Sequence, residues 1–191
     1  MNVISDKIRS ELSKALVHAE KEQVIDIIEK NNVDVNSETI ASRQTTILHD
    51  AINTLSKYHD SDNQVAIVDY LLGKGADPNI KTKEGYNCLH LSLNYHSLSK
   101  ISLMLIINGN VDVNATDDHG SNPIFIAIRE YRLTWRPEQS IHNQLRFQII
   151  EELLKRGANL DLPNNHNAKP RGWIDKISKD DKLHILIGQY E

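Results

Sequence analysis

The sequence predicts an all-α solenoid of stacked helix–turn–helix units, with lengthened inter-helix segments and turns projecting from one edge. Three observations carry this expectation. First, four tails are alike: "IDIIEKNNVDVN" (25–36), "VDYLLGKGADPN" (68–79), "LMLIINGNVDVN" (103–114) and "IEELLKRGANLD" (150–161). Second, three heads are alike, "TTILHDAI" (45–52), "YNCLHLSL" (86–93) and "SNPIFIAI" (121–128), with a fainter fourth, "AKPRGWI" (168–174). Third, three of the four connectors are equal in length. Asn79 to Leu89, Asn114 to Ile124 and Asp161 to Arg171 each span 10 residues, and Asn36 to Leu48 spans 12. The heads themselves lie 41, 35 and 47 residues apart, so all the length variation falls between a head and its tail. Self-similarity of this kind marks units that bury their apolar faces only against one another.

Each element has a local cause. Thr46, Asn87 and Asn122 stand where a helix start needs a side-chain oxygen for its free N–H groups. Pro123 and Pro170 fall in the first helical turn, where a missing N–H costs nothing. Leu48, Ala51 and Ile52 then recur at helical spacing, and the tails carry sets such as Ile67, Val68, Leu71 and Leu72. Each tail helix is expected to stop at Asn32, Gly75, Asn110 or Gly157, the two residue types that accept the left-handed conformation. Gly85 and Gly120 share one connector position, where a tight turn needs positive φ. The C-terminal "KPRGWIDKISKDDKLHILIGQY" reads as a last helix pair, with Ile174 and Ile177 on one strip and Leu183, Leu186 and Ile187 on another. Trp173 reads as the plug that closes the core rather than as a ligand platform. The expected organisation is one domain over 1–191, with repeats at about 45–79, 86–114 and 121–161 between caps at about 5–36 and 168–191.

The signatures "TILHDA" and "GADPN" resemble the ankyrin repeat, whose pattern runs Thr-Pro-Leu-His-x-Ala, then Leu-Leu-x-x-Gly-Ala-Asp-x-Asn, at a period of about 33 residues. The resemblance covers roughly residues 12–190 and is strongest from Thr45 to Asp161. It implies an ankyrin-repeat solenoid that binds proteins through its first helices and turn tips. The heads exceed the family period, the most in the third repeat, whose insertion "EYRLTWRPEQSIHNQ" (130–144) carries Trp135.

That frame decides the one pair that looks like chemistry. Cys88, the only cysteine, fills the Pro slot of the pattern and His90 the His slot, which His49 occupies one repeat earlier and Phe125 one repeat later. Side chains two positions apart on a helix diverge, and no third group converges on them. The resemblance makes His90 a brace between adjacent turns. The remaining histidines show no metal-ligand spacing, and no phosphate loop, dinucleotide fingerprint or nucleophile elbow is present. No catalytic, metal or cofactor site is expected, and the chain reads as no enzyme. A lone cysteine forms no internal disulfide, so a reducing cytoplasm is the expected compartment. The N-terminus lacks the apolar core of a signal peptide, and no apolar run is long enough to span a membrane. A net charge of −4 gives no basic stripe for nucleic acid, but it is uneven: residues 1–80 carry 8 Lys/Arg against 13 Asp/Glu, and 129–156 carry 6 against 4.

Mapped onto this chain, the family's binding face has first-helix positions Asp50 and Asn53, then Leu91, Asn94 and Tyr95, then Ile126, Arg129 and Glu130. The projecting tips supply Lys81, Lys83, Glu84 and Tyr86, then Asp117, Asp118 and His119. Leu91 and Ile126 are apolar at a position the pattern leaves exposed, which is how an interface hot spot looks. Cover by the lengthened helices is the other reading. Trp135 has the same two readings, packing against the longer helices or anchoring a partner. The leading expectation is a non-catalytic module that binds and neutralises a cognate toxin or enzyme, as bacterial immunity proteins do. The alternative is an assembly scaffold or regulatory adaptor without inhibitory action.

Overall fold

The computed structural model describes residues 3–55, 62–133 and 140–190. Helices α1 (Asp6–Val17) and α2 (Lys21–Lys30) form the N-terminal pair, followed by the strands β1 (Glu38–Ile40) and β2 (Thr45–Thr46). Then come α3 (Ile47–Leu55) with α4 (Asp62–Gly73), and α5 (Cys88–Leu93) with α6 (Ser99–Asn108). The chain continues through α7 (Pro123–Leu133) and α8 (Ser140–Lys155), and finishes with α9 (Pro170–Ile174) and α10 (Lys182–Ile187). The first helices α1, α3, α5, α7 and α9 pack side by side in one row, and α2, α4, α6 and α8 form a second row behind them. Their apolar faces meet in one continuous core that runs from Leu12 and Leu16 through Leu48, Leu89 and Ile124 to Leu183 and Ile187.

The expected stops hold. Asn32, Gly75, Asn110 and Gly157 have φ of 47°, 88°, 49° and 77°. Their neighbours in the stack are tied by the last residue of each tail. The Asn36 amide donates to the Gly75 carbonyl (2.9 Å) and its oxygen accepts from the Asp77 N–H (2.8 Å). Asn79 does the same to Asn110 and Asp112 (3.2 and 2.6 Å), and Asn114 to Gly157 and Asn159 (2.9 and 2.7 Å). One asparagine at a fixed place thus reads both a carbonyl and an N–H of the following repeat. At the fourth tail the residue is Asp161, which pairs instead with Arg171 of the terminal cap (Nη2 to Oδ2, 2.9 Å).

The projecting turns form a second ladder. Lys83 N–H donates to the Arg43 carbonyl, Asp118 N–H to Glu84 and Asn165 N–H to His119 (3.0, 3.3 and 2.9 Å). Positive φ recurs four residues before each head position, at Gln44, Gly85, Gly120 and Asn167 (53°, 77°, 76° and 60°). Gly85 is required on two counts, since a Cβ there would also lie 2.7 Å from the Asp118 backbone nitrogen of the next turn. The first connector, two residues longer than the others, closes as the antiparallel hairpin β1–β2, a small strand element that helical periodicity does not predict.

The excess length between head and tail appears in part as longer helices, with 16 residues in α8 against 10 in α6. Arg146 of α8 is fully buried, and its Nη1 donates to the Leu93 carbonyl at the end of α5 (2.7 Å). At the C-terminus Trp173 packs edge-on to Phe125 (6.1 Å, 71°) with Arg132 and Lys176 over its ring, and the Tyr131 hydroxyl donates to Asp181 (2.8 Å).

A candidate protein-binding cleft

Cys88 and His90 are buried and packed within the head of their repeat. The thiol is fully buried, and burial pushes its pKa well above the ordinary range. His90 Nε2 donates to the Ser121 carbonyl of the next turn (3.1 Å), and Nδ1 sits against Asn87, whose side chain caps α5 through the His90 N–H (3.0 Å). His49 repeats the arrangement: Nδ1 accepts from the Thr46 N–H (3.1 Å) and Nε2 donates to the Ile80 carbonyl (3.0 Å). Burial holds both imidazoles below the usual histidine range, with the carbonyl contacts opposing it. Among the described residues no group of His, Cys, Asp and Glu is placed to hold a metal ion. Nor is any helix there long and apolar enough to cross a membrane.

The row of first helices and the hairpin and turn beside it enclose an open cleft of about 950 Å³. Asp50, Asn53, Glu84, Tyr86 and Leu91 all line it, so five of the expected binding residues meet in one place. Leu91 is half-buried against the core, with its outer side in the cleft. The Asp50 pKa is raised, because burial outweighs the Thr39 and Thr45 hydroxyls and the nearby Arg43 and Arg9. Tyr86 is also raised, first by burial and then by the charges of Asp117, Glu84 and Asp118, with Arg129 opposing.

The other expected residues spread beyond the cleft. Lys81, Lys83, Asp118 and His119 are exposed on the turns, where Lys81 Nζ donates to the Thr116 carbonyl (2.7 Å). Asn94 and Tyr95 are exposed at the end of α5, and Arg129 reaches both Asn94 Oδ1 (3.2 Å) and Glu130 (3.0 Å). Two expectations of exposure fail. Asp117 is buried, and its carboxylate accepts the His119 and Ser121 N–H groups (2.9 and 2.8 Å), so it holds its turn in shape. Ile126 is only 3% exposed and belongs to the core. In the register of the heads Trp173 holds the corresponding place in the following helix, where it packs against Phe125. Trp135 lies outside the described residues.

Sequence reasoning missed the upstream wall of the cleft: Arg9, Ser13, Lys14 and Val17 of α1, and Ile40 and Arg43 of the hairpin. The signal for α1 was present, since "LSKALV" (12–17) runs in register with "LHDAIN" (48–53). Lys14 therefore occupies the place of Asp50, Leu91 and Ile126.

Comparison with known proteins agrees with this architecture. The family described as Ankyrin repeats (3 copies) matches residues 55–164. The palmitoyltransferase AKR1 of Lachancea kluyveri is 37% identical over 65 residues, 33% of this chain and 9% of that protein. Putative ankyrin repeat protein FPV234 of Fowlpox virus is 27% identical over 149 residues, covering 63% of this chain and 34% of its own length. Rabankyrin-5 of Mus musculus is 26% identical over 148 residues, covering 71% and 12%. The chain thus spans about a third of the length of these relatives, or less. With more than half of its residues matched and its caps, helix pairs and projecting turns in place, the chain belongs to the ankyrin repeat family, a family of protein–protein interaction modules.

Proposed function

We propose that this chain works by binding a protein partner in the cleft between α1, α3, α5 and the first two projecting turns, without catalysis, in the cytoplasm. One observation carries the reading: Leu91 and Tyr86, an aliphatic and an aromatic side chain, line a cleft whose rim is polar and charged. That is the anatomy of a small interface, with an apolar centre and a hydrated edge. The outcome of binding is inhibition of the partner, as for an immunity protein against its toxin. The test is coexpression with the product of the neighbouring gene, followed by assay of that product's activity. Inhibition by the intact chain that is lost in Leu91→Arg supports the reading. A complex that forms without inhibition makes the chain a scaffold or adaptor. A second observation favours that alternative: the matched segment is a small fraction of a much larger protein in Rabankyrin-5 and in the palmitoyltransferase.

A further inference from the structure

The walls of the cleft differ in charge. Arg9 and Lys14 project from α1 and Arg43 from the hairpin, so three cations line the upstream side. They gather there although residues 1–80 are acidic overall. Neither Lys14 nor Arg43 has an ion-pair partner among the described residues. Arg9 pairs with Asp6 (2.8 Å), whose side chain is 89% exposed, a contact that a partner displaces at little cost. Asp50 lies beside them; the Thr39 and Thr45 hydroxyls bond its carboxylate, and Arg43 and Arg9 act on it as well, so it offsets part of that positive charge. Leu91 follows in the next first helix. Beyond it Glu84 lines the cleft, and outside the cleft the adjoining turn carries the exposed Asp118, while Lys81 and Lys83 on the turn of Glu84 are exposed but do not line it.

Like charges would repel a uniform polyanion from one wall and a uniform polycation from the other, so a mixed-charge segment fits best. An open cleft of about 950 Å³ takes the side chains of a short segment. We propose that it takes a linear segment of a partner protein in one orientation: a carboxylate against Arg9, Lys14 and Arg43, an apolar side chain on Leu91, and a cationic residue towards Glu84 and Asp118. This rests on the reading that the cleft is the binding surface, and adds the chemistry of what enters it.

The test is selection of a displayed library of random peptides against the intact chain, with affinities then measured by fluorescence anisotropy. The selected peptides are expected to share an acidic residue, then an apolar one, then a basic one, read in either chain direction. Lys14→Glu with Arg43→Glu should weaken them about tenfold or more, which corresponds to about 1.4 kcal/mol or more. Selection against that double variant should return basic residues in place of the acidic one. Both substituted side chains are exposed, and circular dichroism checks that the fold is kept. Peptides that lose binding in Leu91→Arg but ignore the charge reversal overturn the polarity and leave the cleft as the binding surface. Peptides indifferent to all three substitutions overturn both. Failure to select any peptide, or tighter binding of a single-stranded oligonucleotide that depends on Arg43, overturns the inference.

Discussion

Two kinds of buried ionisable side chain set the behaviour of the chain at the residue scale. Asp50 stands in the cleft with its pKa raised by burial. A carboxyl whose folded pKa lies above its unfolded value adds stability below that unfolded value, and the contribution is lost as pH rises through the folded one. Ionised Asp50 therefore costs stability at neutral pH. Asp50→Asn keeps an acceptor for Thr39 and Thr45 and removes the charge, so its melting temperature at pH 7 should rise. A fall would mean that Arg9 and Arg43 outweigh the burial. The two bracing histidines act in the other direction. Their folded pKa lies below the ordinary 6.5, so their contribution is whole above that value and is lost as pH falls towards the folded pKa. Melting temperatures measured from pH 7.5 down to 5 should decline below about 6.5, and a His49→Gln, His90→Gln double variant should be less stable at pH 7 but flatter over that window. The role of His90 was legible in the sequence because its position recurs at His49 without any cysteine nearby. The burial of Ile126 was not, because helical phase gives the direction of a side chain and not what packs over it.

The elements owe their positions to turn chemistry more than to helix propensity. Every tail helix ends at a residue that accepts positive φ, and every following turn reaches back to its predecessor. The Asn36, Asn79 and Asn114 clamps are the joints between repeats. Asn79→Ala removes two hydrogen bonds that cross from one repeat to the next and should cost about 1–2 kcal/mol, read from chemical denaturation. Stability equal to that of the parent chain would show that the turns are held by core packing alone. The glycines at the connectors were readable, since they share one place. Asn167 takes the same conformation as a residue type that tolerates it, whereas at Gln44 it was not readable, because the fold imposes it there on a residue that rarely chooses it. The hairpin is a similar case, arising from two extra connector residues rather than from any strand-like alternation. For α1, the register of "LSKALV" with "LHDAIN" held the information that its outer face would complete the cleft.

At the scale of the whole molecule, the stack has one core and two ends to close. At the C-terminal end Trp173 packs half-buried against Phe125, where a plug of the core would stand. Trp173→Ala should cost about 2–3 kcal/mol, somewhat less than removal of a fully buried ring, and an unchanged melting temperature would remove it from that role. Function at this scale rests on which face of the stack is used. The row of first helices presents the cleft, and the second row presents the half-exposed Ile107 of α6. A photo-crosslinking amino acid placed at position 91 or at position 107 in the living cell compares the two faces directly. A discrete protein adduct from position 91, absent from position 107, is the predicted result. An adduct from position 107 with none from position 91 would contradict the assignment of the binding surface.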